Sequence, residues 1–271
     1  MTWAATTLPW HYHNLKGKLV WRLHALHKTY GPVVRIAPNV LSYSSAQAWR
    51  DIYGNNKPEL VPDLSGFGMP PPPNDVVPFI SATETALHRK LKRFMLPAFS
   101  ERALKEQEPV ITGFVDMLME KLEAHCTHGP LNIGEWIGRA TFDIIGYLTL
   151  GESFHGLEME QTHSLVTWNI DSVKALPIVQ LAQQFRLMWL LAMLAPKQAM
   201  EEKYNYAAKR VASLCQQVKV GERKGVFLHY ILKQDEDNKL SEAQCTSDMD
   251  TIVAAGGDVS FKCYRLEVGV C

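Results

Sequence analysis

The 271-residue sequence predicts a mainly α fold with a small β-hairpin near the N-terminus. Three observations carry that expectation. After residue 80, apolar residues recur at three- and four-residue spacing through most of the chain, the period of a half-buried helix. Two short runs, Val33-Val34-Arg35-Ile36 and Val40-Leu41-Ser42-Tyr43, flank the turn pair Pro38-Asn39 and read as paired strands. No strand–helix alternation suggests a parallel sheet, and no G-x-G-x-x-G or Walker loop is present to cradle a nucleotide.

Taken in order, Trp10 to Tyr30 places Leu15, Leu19, Leu23 and Leu26 at helical spacing, with Gly31-Pro32 as the stop. The hairpin follows. Ser44 or Ser45 can cap a short helix from Ala46 to Tyr53, ended by Gly54. Residues 55–80 are rich in proline and glycine, with a run of four prolines at 70–73, and read as a long loop. A loop of that length in a compact domain is usually functional or mobile. Thr85 to Met95 is a basic amphipathic helix. Ser100 caps a helix to Glu123, with Val110, Phe114, Met117, Leu118 and Leu122 on its apolar side. Asn132 to Leu150 is mostly apolar, with Trp136, Ile137, Ala140, Ile144, Ile145 and Leu148 directed to a core. Further helices are expected over 161–194, 197–219 and 226–233. Asp235 to Lys239 reads as a solvated loop, and Ser241 opens a last helix carrying Met249, Ile252 and Val253.

Bulk properties narrow the function. With 28 basic and 28 acidic side chains, no field of one sign recruits nucleic acid, and none is expected as a partner. The ten histidines form no ligand pair on one helix face. Cys126, Cys215, Cys245, Cys263 and Cys271 are odd in number, irregular in spacing and contain no C-x-x-C, so neither a zinc site nor a redox motif is indicated. Reduced thiols in an intracellular protein are the expectation. No stretch reaches the roughly 18–20 apolar residues that span a bilayer, and the first residues do not read as a signal peptide. The most apolar run, 187–195 (LMWLLAMLA), suits a core helix or a surface that dips into a membrane face.

The basic helix holds the first candidate site. His88 and Lys92 are four apart, hence on one face, and a donor-bearing face is what a carboxylate requires. On their own, Arg89, Lys90, Lys92 and Arg93 read rather as a solvated face.

Three segments, in order and spacing, resemble the fungal cytochrome P-450 family. They are Tyr30-Gly-Pro-Val-Val-Arg-Ile-Ala-Pro-Asn39 with Ala48-Trp-Arg-Asp-Ile-Tyr-Gly54; His88-Arg-Lys-Leu-Lys-Arg-Phe-Met-Leu-Pro-Ala-Phe-Ser100; and Phe142-Asp-Ile-Ile-Gly-Tyr-Leu-Thr-Leu-Gly-Glu-Ser-Phe154. The resemblance runs from about residue 8 to about 258 and implies a partial cytochrome P-450 fold lacking the C-terminal haem-thiolate half. It implies that His88 and Lys92 bind haem propionates. The family prefers arginine at the second position; Lys92 keeps the charge but loses the bidentate fork. Ala255-Gly-Gly-Asp-Val-Ser260 resembles the oxygen-activation motif, with Ala255, Gly256 and Asp258 matching. There the acid and a hydroxyl relay protons to bound oxygen. Val259 has no hydroxyl, and Ser260 offers one a position late. Taken alone, this segment reads as an ordinary helix end with a glycine pair.

The family's iron is held by a cysteine thiolate in a Phe-x-x-Gly-x-Arg-x-Cys-x-Gly loop. Neither Cys263 nor Cys271 has that frame, and no arginine has glutamate three residues before it, so the Glu-x-x-Arg pair is missing too. The expectation is therefore a partial domain over 1–258 and a non-homologous tail over 259–271. A Val-Ser pair can be encoded as GTN-AGY, a common intron donor, which would make the residues after Ser260 translated intron; transcript reads across the junction test this. No haem, and no metal ligand, is expected in this chain by itself. With half of the family's core absent, apolar faces would lie uncovered and stability would be poor; a sharp cooperative melt without haem would contradict that.

Three readings follow. One is a truncated, inactive relative of a monooxygenase. A second is part of a working enzyme that inserts oxygen into hydrophobic secondary metabolites, terpenoid or polyketide, with electrons from a reductase. The third is a non-catalytic helical binding or regulatory protein. The resemblance places the parent family at the endoplasmic reticulum membrane. This chain is expected to be cytoplasmic if stable, with peripheral membrane contact near 187–195. The loop 55–80 and the segment 175–195 correspond to regions lining the substrate channel in that family.

Overall fold

A computed structural model describes residues 2–54, 76–127, 129–194, 196–233 and 240–267, with side chains from Trp3 to Gly257. The chain divides into two compact units, residues 1–69 with 174–195 and residues 70–173 with 196–271.

The first unit holds α1 (Thr2–Ala5), α2 (Leu8–Leu15), α3 (Leu19–Tyr30), β1 (Val33–Ala37), β2 (Val40–Tyr43) and α4 (Ala46–Tyr53). It also takes residues 174–184 of α8 (Ser164–Gln184) and α9 (Met188–Leu194). The pattern expected as one run from Trp10 to Tyr30 is two helices. Gly17, at φ 63°, supplies the left-handed step between them that a side chain would resist. β1 and β2 are antiparallel, pairing Val33 with Tyr43 and Ala37 with Val40, with a bulge between Arg35 and Ala37. Val34 and Ile36 point inward and join Leu26, with Trp3, Trp10 and Leu23 packed around them. His27 ties α3 to the hairpin, with Nδ1 2.9 Å from the Gly31 carbonyl and Nε2 2.8 Å from Ser42 Oγ. Ser45, rather than Ser44, caps α4 by accepting from the Ala48 amide at 3.2 Å.

The span expected as a single helix over 161–194 is broken. The Leu187 amide donates to the Ala182 carbonyl at 2.7 Å and the Arg186 amide to the Gln183 carbonyl at 3.1 Å, around Arg186 at φ 56°. That pair of bonds is the Schellman closure, here with arginine where glycine is usual. The apolar run therefore becomes the separate helix α9, whose Trp189, Met193 and Leu194 are exposed.

The second unit runs from a 3-10 turn (Phe79–Ser81) through α5 (Thr85–Met95), a second 3-10 turn (Leu96–Phe99), α6 (Glu101–Cys126) and α7 (Ile133–Leu150). It continues through residues 164–173 of α8, α10 (Lys197–Lys219), α11 (Phe227–Leu232) and α12 (Glu242–Glu267). Ser100 Oγ accepts from the Ala103 amide at 3.2 Å and Ser241 Oγ from the Gln244 amide at 3.1 Å, so both serines cap as their positions predict. α7 ends at Gly151 in the left-handed conformation, φ 79°, with its amide on the Tyr147 carbonyl at 3.0 Å. The core gathers Phe142 and Leu148 of α7, Val211 and Leu214 of α10, and Met249, Ile252 and Val253 of α12. A satellite core under α6 joins Trp136, Ala140 and Leu157 to Phe114, Met117, Leu118 and Leu122.

Candidate functional site

The basic helix α5 is amphipathic as expected. Leu91, Phe94 and Met95 are buried, while Arg89, Lys90, Lys92 and Arg93 are exposed. His88 is half-buried at the edge of the inner face, and the exposed Lys92 is one turn further on. Its first turn is closed by the His88 amide on the Glu84 carbonyl at 2.9 Å.

α12 carries the second set of predicted residues. From Cys245 to Val253 nearly every side chain is buried, because α7 and α10 both pack against this stretch. Beyond it the helix continues to Glu267, so the Gly256-Gly257 pair lies within the helix and not at its end. The pair sits where α7 comes closest. A methyl group on Gly256 would meet Ile145 Cγ1 at 3.1 Å, and one on Gly257 would clash with Cδ1, Cε1 and Cζ of the Phe142 ring. Ala255 is exposed. The backbone of Asp258 is helical; its side chain, and those of Cys263 and Cys271, fall outside the described residues. So does most of the long loop, since description resumes at Val76. The 3-10 turn Phe79–Ser81 packs against both α5 and α12, and links the two elements that carry the predicted residues.

The family model for cytochrome P-450 matches residues 3–260. The chain belongs to the cytochrome P-450 family. Among curated relatives of this family, the monooxygenase alt3 of Alternaria solani is 35% identical over 258 residues, covering 95% of this chain and 50% of the relative. Averantin hydroxylase of Dothistroma septosporum is 35% identical over 259 residues, covering 95% and 49%. The monooxygenase stcF of Emericella nidulans is 33% identical over 261 residues, covering 95% and 53%. The chain thus spans about half the length of the curated relatives it matches. These relatives are fungal secondary-metabolite monooxygenases, and haem is the family's cofactor.

Residues of this cytochrome P-450 chain fit haem unevenly. The His88–Lys92 face offers donors to carboxylates. The described cysteines do not offer a thiolate to iron. Burial pushes the Cys215 thiol up, and it pushes Cys245 up to about 12, with the neighbouring Cys215 adding to the effect. Cys126 is exposed at the end of α6 and donates to the Glu123 carbonyl. Among the described residues no cluster of His, Cys, Asp or Glu could hold a metal ion. An open hollow of about 500 Å³ has Phe114, Met117, Tyr147 and Arg223 among its lining residues, and none of His88, Lys92, Ala255 and Gly256.

Sequence reasoning missed two carboxylates. Asp143 of α7, 1% exposed, accepts from the Gly156 amide at 3.0 Å and the Leu157 amide at 2.9 Å. Its pKa is raised, chiefly by burial, against the lowering effect of those amides. Asp248 of α12 is completely buried and accepts from the Phe79 amide at 2.7 Å. Burial pushes its carboxyl up to about 6, opposed by Phe79 and Gln244. Its signal in the sequence was a charged residue on the same stripe as Cys245, Met249 and Ile252.

Proposed function

We propose that this chain supplies the propionate-binding and oxygen-handling elements of a haem-thiolate monooxygenase, and that residues 1–271 do not oxidise a substrate by themselves. In this reading His88 and Lys92 hold the haem propionates. Ala255, which is exposed, leaves room beside the backbone, and Asp258 would relay protons there. Haem would supply the oxygen-activating iron, and the reading takes the cysteine sulfur that would hold it from sequence beyond these 271 residues.

The observation that carries the reading is the family match over residues 3–260, with the donor-bearing i,i+4 pair His88 and Lys92 on α5. The thiols of Cys215 and Cys245, held protonated by burial, support the second half of it. The parent reaction is insertion of one oxygen atom into a C–H bond of a hydrophobic secondary metabolite, terpenoid or polyketide, with electrons from a reductase. A relative that is an averantin hydroxylase supports a hydroxylation. No described helix is long and apolar enough to cross a membrane. The exposed Trp189, Met193 and Leu194 of α9 support peripheral contact with a membrane surface, that of the endoplasmic reticulum in the parent family.

The test is a haemin titration of the purified chain, followed by reduction and carbon monoxide. Any haemin taken up should be held weakly, through its propionates, and give no thiolate-type Soret band. Replacing His88 and Lys92 together by alanine should weaken binding by roughly tenfold or more, the loss expected for charge-assisted hydrogen bonds. A thiolate-type band from these 271 residues would overturn the claim of inactivity. Unchanged affinity in the double variant would overturn the propionate assignment.

A further inference from the structure

Residues 76–78 form neither helix nor strand before the 3-10 turn begins at Phe79, so their backbone groups, and the first amide of the turn, need other partners. One face of α12 supplies them. Gln244 Nε2 donates to the Val77 carbonyl at 3.0 Å, and Ser247 Oγ donates to the Val76 carbonyl at 3.3 Å. The Phe79 amide donates to Asp248 Oδ1 at 2.7 Å. Gln244 Nε2 also lies 3.2 Å from both Asp248 oxygens, so the carboxylate is held from two sides. These three side chains are three and four residues apart, the spacing of a single helical face.

Burying a carboxylate completely is unfavourable unless hydrogen bonds compensate, and an apolar side chain would seal α12 against Phe79 without that cost. What the carboxylate adds is a fixed position for one backbone amide. That amide opens the 3-10 turn that packs against both α12 and α5. Only Ala82, Thr83 and Glu84 separate the turn from α5.

We propose that Asp248, assisted by Gln244 and Ser247, is a positioning residue that fixes residues 76–81 on α12 and thereby sets where α5, with His88 and Lys92, begins. It deepens the monooxygenase reading and rests on it for the meaning of α5, but its test does not require haem to bind.

Amide hydrogen exchange of the full 271-residue chain gives the readout. Asp248→Ala should speed exchange of the Phe79 amide, and of the His88 amide in the first turn of α5, by at least about tenfold. Asp248→Asn retains an acceptor oxygen and should speed neither amide by more than about twofold. Gln244→Ala, a milder change at a half-buried position, should speed the same two amides by a few-fold. The Gly151 amide, at the far end of α7, serves as control. Faster exchange at Phe79 with His88 unchanged would overturn positioning of α5. Asparagine behaving like alanine would overturn the acceptor role. If Asp248→Ala also speeds Gly151, the fold itself has loosened and Gln244→Ala decides: no change at Phe79 and His88 sinks the proposal. Failure of the monooxygenase reading appears elsewhere, as haemin affinity indifferent to His88 and Lys92, and leaves these exchange rates untouched.

Discussion

The turn that follows α7 and the segment that precedes α5 are each held by one buried carboxylate, Asp143 in the first case and Asp248 in the second. Their surroundings differ in two ways. Asp143 accepts from two successive backbone amides, 13 and 14 residues along the chain. Asp248 accepts from one backbone amide 169 residues away, and its other partner is the side-chain amide of Gln244. Closing the longer span costs about 2 kcal/mol more in chain entropy, by the logarithmic dependence on length. Asp143 thus completes a local turn, whereas Asp248 joins distant parts of the sequence with one backbone donor and one side-chain donor. The comparison teaches that full burial alone does not define a carboxylate's role: the kind of donor and the distance along the chain separate a turn lock from a long-range anchor.

The largest expected effect comes from breaking the local lock. Asp143→Ala leaves the Gly156 and Leu157 amides buried without partners, at about 1–3 kcal/mol each, so a loss of about 4 kcal/mol is expected. A urea midpoint measured against the parent chain gives the value. Asp248→Ala strips only one backbone amide and should cost less than half as much. Equal losses would remove the distinction drawn between the two carboxylates.

Changing pH probes the anchor without mutation. The Asp248 carboxyl titrates at about 6 in the folded chain, above the roughly 4 of an unfolded aspartate. Between those values the folded state binds the extra proton. The group's stabilising contribution is therefore full below about pH 4 and is lost as pH rises through 6, a change on the order of 3 kcal/mol. Asp143 is shifted the same way, so the total pH slope mixes the two. The difference between the parent chain and Asp248→Asn isolates the anchor. At pH 7.5 the asparagine variant should be the more stable, and its advantage should vanish by pH 4. An advantage that does not vary with pH would mean that the folded carboxyl titrates near its ordinary value.

Elements whose determinants are local were legible in the sequence. Ser45, Ser100 and Ser241 cap the helices they precede, because the capping oxygen and the amides it serves are three residues apart. The hairpin was legible from its turn and its β-branched runs. The break at Arg186 was not, since the residue in the left-handed conformation is an arginine and the apolar pattern continues across it. Of the candidate site, the basic pair on α5 could be named from spacing, and the oxygen-activation segment from resemblance. Asp248 was marked only as a charge on an apolar stripe, and neither it nor Asp143 could be given its role, because the backbone amides they accept from carry no mark in a sequence. The spot where α12 presses on α7 was visible only as a glycine pair, of which Gly256 was read as part of the oxygen-activation segment.

That pair offers the smallest and most discriminating test, because both carboxylates are mounted on the two helices it joins. Replacing a glycine inside a helix by alanine gains about 1 kcal/mol in helix propensity. At Gly256 the new methyl would approach Ile145 Cγ1 at 3.1 Å and Cδ1 at 3.2 Å, and Cδ1 is the far end of a flexible side chain. The crowding and the propensity gain should nearly cancel, leaving a change within about 1 kcal/mol. At Gly257 the methyl would clash with the edge of the Phe142 ring, which is 2% exposed and enclosed by the core. Overpacking there should outweigh the propensity gain and leave a net loss of about 2 kcal/mol. Adding Phe142→Leu to Gly257→Ala should recover part of that loss, because the two changes share one volume and their effects cannot add. If the two substitutions proved additive, the helices would not be meeting at this ring, and the common mounting of the two carboxylates would lose its basis.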